Sequence, residues 1–180
     1  MTTKLSIVLP VLNGARFLPI TVPRLVAALD LLNERWEIVI VDDGSHDTTP
    51  QLLTTYAGAA GSFGSILIVT LPENIGKFGA LREGMARATG ECCIFIDADL
   101  PFELSAISRF YRMIVDDGFD IVIGDRTLAE SHEGGGSTPI RRAAHLMFSQ
   151  LIRAVSLGGF ADSQCGMKAY RADVAHTLFP

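Results

Sequence analysis

Apolar residues in this chain gather into short continuous runs at 5–9, 37–41, 66–71, Cys92–Ile96 and Ile121–Ile123, each rich in Val and Ile and closed by a polar residue or glycine. Runs of strand length that are apolar throughout, rather than at alternate positions, predict strands buried on both faces. Between them, residues 17–32, 49–56, 79–88 and 104–115 place apolar side chains at helical spacing, and Asp47 is positioned to cap the second of these helices. Strand and helix in alternation predict an α/β fold, Rossmann-like, with a mostly parallel sheet and helices on both faces.

Residues 128–139 interrupt the pattern. The stretch Glu133-Gly134-Gly135-Gly136-Ser137 is read as a mobile loop of the kind that serves as a lid beside a sheet edge. Helical period returns over 140–156, with Ala144, Met147, Phe148, Leu151 and Val155 on one side and Arg142, His145, Ser149 and Arg153 on the other. No repeat or internal boundary appears, so residues 1–180 are read as a single domain.

Composition narrows the function classes. The chain has 180 residues, 48% of them apolar, which is enough for one sizeable core, and its net charge of -5 is spread without a basic block, so nucleic acid is not an expected partner. Cys92 and Cys93 are adjacent and Cys165 is isolated, which gives neither a CxxC pair nor a disulfide framework and suggests a reducing, cytoplasmic setting. The opening apolar run is too short for a signal peptide, and no stretch approaches the roughly 20 apolar residues of a membrane span. A soluble or peripheral domain is expected.

In an open parallel sheet, ligands bind beyond the carboxyl ends of the strands. The residues following the runs are polar and specific: Pro10-Val11-Leu12-Asn13-Gly14, Asp42-Asp43-Gly44-Ser45, Asn74-Ile75-Gly76-Lys77 and Asp97-Ala98-Asp99. Asp97 and Asp99 are two apart, so in an extended chain their carboxylates point the same way. Such a pair suits a hard divalent ion, Mg²⁺ or Mn²⁺, whose other positions go to water and phosphate oxygens. Asp42 and Asp43 either open an acidic turn or accept hydrogen bonds from a nucleoside. Lys77 either reaches the nucleotide or faces water. Asp116-Asp117-Gly118 precedes a strand rather than following one and is read as a solvated turn, and His46 and His145 are read as surface residues.

These motifs resemble the family 2 glycosyltransferases over nearly the whole chain. The resemblance rests on Ser6-Ile7-Val8-Leu9-Pro10, Ile40-Val41-Asp42-Asp43-Gly44-Ser45, Asn74-Ile75-Gly76 with Ala80-Leu81-Arg82-Glu83-Gly84, Ala88-Thr89-Gly90, Asp97-Ala98-Asp99-Leu100 and Val122-Ile123-Gly124. The segment from Asp162 to Lys168 is similar to that of polyprenyl-phosphate sugar transferases, above all the dolichyl-phosphate glucosyltransferase branch. The resemblance implies a GT-A fold and inverting transfer of a hexose from a nucleotide-diphosphate sugar to a lipid phosphate, with UDP-glucose favoured and GDP-mannose the alternative. It implies donor contacts at Pro10, Leu12, Asn13, Asp42, Asp43, Gly76, Lys77, Asp97, Ala98 and Asp99, and a metal on Asp97 and Asp99. It also implies acceptor contacts at Arg126, Arg141, Arg142, Asp162 and Gln164, with Arg126 part of the catalytic set. For the three arginines the alternative is an ordinary solubilising role. The expected location is cytoplasmic, peripheral at the inner face of a membrane, in service of cell-envelope glycan synthesis.

The chemistry is consistent with that implication. A phosphate monoester, with its second pKa near ~6, is largely ionised at neutral pH, so the acceptor needs positioning more than deprotonation. Two departures stand against a full match. Pro101 occupies the place where mannosyl-transferring relatives often carry Gln, and relatives continue beyond the segment ending at Lys168 into a further helix and strand, whereas this sequence ends at Pro180, a truncated or short form whose acceptor site is expected to be incomplete. A transferase acting on a glycan hydroxyl would need a carboxylate base that has no clear place here. A nucleotide-sugar-binding domain without turnover is the rival from another class. A nicotinamide-dependent dehydrogenase is disfavoured because no GxGxxG follows the first run, and a haloacid-type phosphatase because the first run is not followed by DxDG.

Overall fold

The structure is a computed structural model and describes residues 2–124 and 166–180. In chain order the elements are β1 Leu5–Val11, α1 Leu18–Asp30, β2 Trp36–Asp42, α2 Thr49–Thr54, β3 Gly58–Ala60, β4 Gly64–Thr70, α3 Lys77–Met85, β5 Cys92–Ile96, α4 Ser105–Val115, β6 Ile121–Ile123, β7 Met167–Arg171 and α5 Ala172–Leu178. The expected loop 128–139 and helix 140–156 lie outside the described residues, as do Arg126, Arg141, Arg142, Asp162 and Gln164.

The described strands form one sheet in the order β3-β4-β2-β1-β5-β7-β6. Its centre is parallel, β4 to β2 to β1 to β5, and antiparallel pairings at β3 and β7 close the two sides. Side chains alternate across the central strands as extended geometry requires. Leu5, Ile7, Leu9, Trp36, Ile38, Ile40, Cys92, Ile94 and Ile96 face α1 and α4, where Leu25, Leu29, Ile107 and Phe110 complete one core. On the reverse face, Val8, Cys93 and Phe95 meet Leu81 and Met85 of α3, Ala175 of α5 and Phe179 just beyond it. The expectation of a mostly parallel sheet with helices on both faces is met.

α3 packs close because residue 84 is glycine. A Cβ there would come within 2.4 Å of Val8 Cγ1, so a larger residue would push the helix off the sheet. At the opposite end of the strands a buried polar cluster ties the sheet to the turn before β5. Glu37 Oε1 accepts from Ser6 Oγ at 2.5 Å, from the Thr89 amide at 2.6 Å and from Thr89 Oγ1 at 2.9 Å, while the Gly90 amide donates to Ser6 Oγ at 2.8 Å. The Ala88-Thr89-Gly90 motif is thus structural: it satisfies a buried carboxylate between β1 and β2. Burial also pushes the thiols of Cys92 and Cys93 upward, Cys93 to about 12, which leaves both unreactive.

Two expectations need correction. The 66–71 run is not buried on both faces, since only Ile66 and Val69 are buried in β4 and Leu67 is 42% exposed. On its outer edge β4 has only the three-residue β3, and the small third core of Val39, Val41, Val69 and Ala80 takes in only Val69 of the strand. The helix expected over 79–88 starts and ends earlier, at Lys77 and Met85, because Gly76 turns the chain with φ 85° and the Asn74 side chain accepts from its amide at 2.9 Å.

Candidate active site

Because the central strands are parallel, their carboxyl ends come out on one edge. Val11 is level with Asp42, and Asp42 with Thr70. The loops after β1, β2, β4 and β5, which carry the polar clusters of the sequence, therefore meet there.

The loop after β2 is built into the protein. Asp42 is fully buried and Asp43 is 3% exposed. Asp42 Oδ1 accepts from the Ser45 amide at 3.1 Å, and its other oxygen is buried without a hydrogen-bond partner among the described residues. Asp43 Oδ1 accepts from the Ile75 amide at 2.8 Å, which ties β2 to the loop before α3. Gly44, with φ 67°, lies against that same loop; a Cβ there would sit 2.6 Å from the Glu73 carbonyl carbon and 2.7 Å from the Asn74 nitrogen. Asn13, itself at φ 51°, donates its amide to Ser45 Oγ at 2.8 Å and accepts from the His46 amide at 2.9 Å, so the β1 and β2 loops are also joined. Asp47 accepts from the Thr49 amide at 2.9 Å, but Thr48 holds the N-cap position of α2, so Asp47 supports the start of the helix without being the cap expected of it. The Thr49 hydroxyl, and after it that amide, hold the Asp47 carboxyl below its usual range.

The loop after β5 is held differently. β5 ends at Ile96, and residues 97–100 turn, with the Leu100 amide donating to the Asp97 carbonyl at 3.1 Å and Leu100 at φ 47°. The shared direction expected for Asp97 and Asp99 from extended geometry does not follow, because the turn sets their orientation. The Ala98 carbonyl is anchored by Thr21 Oγ1 of α1 at 2.6 Å. Asp97 is partly buried and Asp99 exposed. The Lys77 ammonium lies 2.5 Å from Asp97 Oδ1 and 5.2 Å from the Phe95 ring. Asp97 Oδ2 abuts Gly166, where a Cβ would stand 2.2 Å away.

Between these loops is a cleft of about 310 Å³ lined by Pro10, Val11, Leu12, Asp43, Asn74, Gly76, Lys77, Ala80 and Asp97. It brings together Pro10, Leu12, Asp43, Gly76, Lys77 and Asp97 of the residues singled out from the sequence. Asn13 and Asp42 are not among its lining residues, and neither are Ala98 and Asp99. Val11, Asn74 and Ala80 line it as well. All three stand in segments quoted from the sequence, Pro10–Gly14, Asn74–Gly76 and Ala80–Gly84, though none was named as a contact. A larger hollow of about 520 Å³ lies at the other end of the sheet among Lys4, Leu31, Glu34, Tyr111, Arg112 and Asp116. That end holds the amino termini of the strands, and its charged residues are solvated, so the chemistry belongs at the carboxyl edge.

The donor set fits a hard divalent cation: carboxylate oxygens at an accessible sheet edge, one of which already draws an ammonium to 2.5 Å. Asp97 and Asp99 are the residues that would hold it. The cleft is of a size and polarity for part of a nucleotide.

Comparison with known proteins agrees with this geometry. The model of "Glycosyl transferase family 2" matches residues 6–179. A dolichyl-phosphate beta-glucosyltransferase of Trichomonas vaginalis is 32% identical over 149 residues, covering 81% of this chain and 43% of that protein. An undecaprenyl-phosphate 4-deoxy-4-formamido-L-arabinose transferase of Yersinia enterocolitica is 32% identical over 175 residues, 97% of this chain and 51% of that protein. The chain therefore spans about half the length of these curated relatives. Among solved structures, glucosyl-3-phosphoglycerate synthase of Mycobacterium tuberculosis superposes with a TM-score of 0.63 at 20% identity, covering 95% of this chain and 58% of that one. The mannosyltransferase PcManGT of Pyrobaculum calidifontis, solved with GDP-Man and Mn²⁺, gives 0.57 at 19% identity, covering 99% and 47%. At these identities the structures establish the fold, which is GT-A. With a family match running almost end to end over the strand-end motifs that build the cleft, the chain belongs to glycosyl transferase family 2.

Proposed function

We propose that this chain carries the donor-binding and catalytic core of an inverting, metal-assisted hexosyltransferase that moves a sugar from a nucleotide diphosphate, UDP-glucose in preference to GDP-mannose, to a polyprenyl phosphate. The observation that carries the reading is the cleft at the carboxyl edge, where Asp43, Lys77 and Asp97 meet, in a chain whose relatives at 32% identity are named for transfer to dolichyl and undecaprenyl phosphate. In this reading Pro10, Leu12, Asn13, Asp42 and Asp43 form the nucleoside end of the site, and Gly76 and Lys77 meet the diphosphate. Asp97, Ala98 and Asp99 form the end where the leaving group departs. A Mg²⁺ or Mn²⁺ ion on Asp97 and Asp99 would supply Lewis-acid stabilisation of the charge on the departing nucleotide diphosphate. Arg126, Arg141 and Arg142 hold the acceptor phosphate through paired hydrogen bonds, and Asp162 and Gln164 line the sugar or acceptor pocket.

The reaction needs little proton traffic. An ionised phosphate oxygen bonds to the anomeric carbon as the bond from that carbon to the diphosphate oxygen breaks, and the electron pair leaves on the nucleotide diphosphate. Orientation and charge stabilisation then do the catalytic work. The acceptor is met at the inner face of a membrane by peripheral contact. Among the described residues no helix is long and apolar enough to cross a membrane.

The test supplies labelled UDP-glucose or GDP-mannose with Mg²⁺ or Mn²⁺ and offers either a polyprenyl phosphate or the corresponding alcohol. Transfer to the phosphate, lost in Arg126→Ala, is expected. Transfer to the alcohol or to a free glycan, with no use of the phosphate, would overturn the proposal.

A further inference from the structure

We infer that Lys77 makes divalent-metal binding at Asp97 conditional on the nucleotide diphosphate, by occupying the metal's place on the carboxylate until the diphosphate draws the ammonium away. The inference rests on the assignment of the metal and the diphosphate to this cleft. Its starting point is the ion pair itself, with Lys77 Nζ 2.5 Å from Asp97 Oδ1 and both residues lining the same hollow. Oδ2 is hemmed in by the backbone at Gly166, so Lys77 holds the less confined oxygen. An ammonium and a divalent ion cannot share one carboxylate oxygen at such distances, because their mutual repulsion offsets what each gains from the carboxylate.

The lysine is built to move. Its backbone is fixed as the first residue of α3, immediately after Gly76, while its side chain is 59% exposed and its ammonium lies over the Phe95 ring, 5.2 Å from the centroid. α3 starts without a side-chain cap, so its first-turn amides and the Lys77 ammonium offer an anion two kinds of partner at one place. A diphosphate carries more charge than the single carboxylate and recruits the ammonium away from it. Asp97 is then left for the metal, which would supply positive charge beside the diphosphate. Coupling of this kind is reciprocal: by whatever factor the nucleotide strengthens metal binding, the metal strengthens nucleotide binding. A partly exposed pair of this type is worth ~0.2–1 kcal/mol, so its removal changes metal affinity by about one and a half- to fivefold.

The test measures free Mn²⁺ by electron paramagnetic resonance during titration of the 180-residue chain, without nucleotide and then with saturating UDP. Lys77→Met and Lys77→Gln are expected to bind Mn²⁺ alone about one and a half- to fivefold more tightly than the parent, and UDP is expected to enhance Mn²⁺ binding less in these variants. Lys77→Arg, which keeps the charge, should behave like the parent. Melting temperatures within about 4 °C of the parent's are expected for all three, since only a surface ion pair is changed. If the neutral variants bind Mn²⁺ no more tightly than the parent, the inference is overturned. Asp97→Asn separates this outcome from failure of the underlying assignment: if it binds Mn²⁺ with UDP as well as the parent does, the metal is not on Asp97 at all.

Discussion

Asp42 with Asp43 and Asp97 with Asp99 are two acidic pairs at the carboxyl ends of parallel strands in one sheet, and they are held in opposite ways. The first pair is at most 3% exposed and accepts backbone amides of Ser45 and Ile75, bonds that persist as long as the fold does. In the second pair Asp99 is exposed and the Asp97 side chain, 26% exposed, is paired with the ammonium of a largely exposed lysine. A carboxylate bonded to amides has its partner supplied by the backbone, whereas one bonded to an ammonium has a partner that another cation can replace. In the proposed function the first pair would shape the nucleoside end of the cleft, and the second would be where exchangeable charge is handled.

The largest effect expected from breaking this contrast is at Asp97. Asp97→Ala should weaken nucleotide-diphosphate binding in Mn²⁺ by at least about a hundredfold, while binding measured in a chelator changes little. Equal calorimetric affinity of variant and parent in Mn²⁺ would remove the distinction between the pairs. Next is Asp42→Ala, which should act on the fold. Loss of the acceptor for the Ser45 amide is expected to cost about 1–2 kcal/mol of stability, read from the urea midpoint. A variant as stable as the parent would show that the burial of Asp42 serves the ligand rather than the loop. The smallest effect is at Asp43. Asp43→Ala should lower nucleotide affinity about threefold to the same extent with and without metal, because in the proposed function its partner is the nucleoside. A loss confined to the metal-containing titration would move Asp43 into the metal's surroundings.

How far the sequence revealed the molecule follows from the same physics. β1, β2 and β5 were readable because they are buried on both faces and so are apolar at nearly every position, with Ser6, Glu37 and Asp42 the polar exceptions. β3 was invisible: three residues of Gly and Ala carry no pattern, and only pairing with β4 defines them. β7 hid behind Lys168 and Arg171, because an antiparallel strand near the sheet's edge needs only some of its side chains buried. α5 is seven residues long, too short for a helical period to register. At the site, the motifs named which strand ends matter, and the cleft gathers residues from the loops after β1, β2, β4 and β5. What local sequence could not give was the turn at residues 97–100, the Gly166 approach and the Lys77–Asp97 pair. Each depends on segments brought together by the fold from 20 or more positions apart, or on a turn whose left-handed residue is Leu100 rather than glycine.

The most direct measurement is the melting temperature of the chain with UDP and with GDP, each in Mn²⁺ and in chelator. A ligand that binds only the folded state stabilises it by about 2.7 kcal/mol at a hundred times its Kd. One nucleotide diphosphate should raise the melting temperature in Mn²⁺ well above its value in chelator, and Asp97→Ala should erase that difference while keeping the smaller metal-independent shift. No shift with either nucleotide, or an equal shift with and without metal that survives Asp97→Ala, would contradict the account.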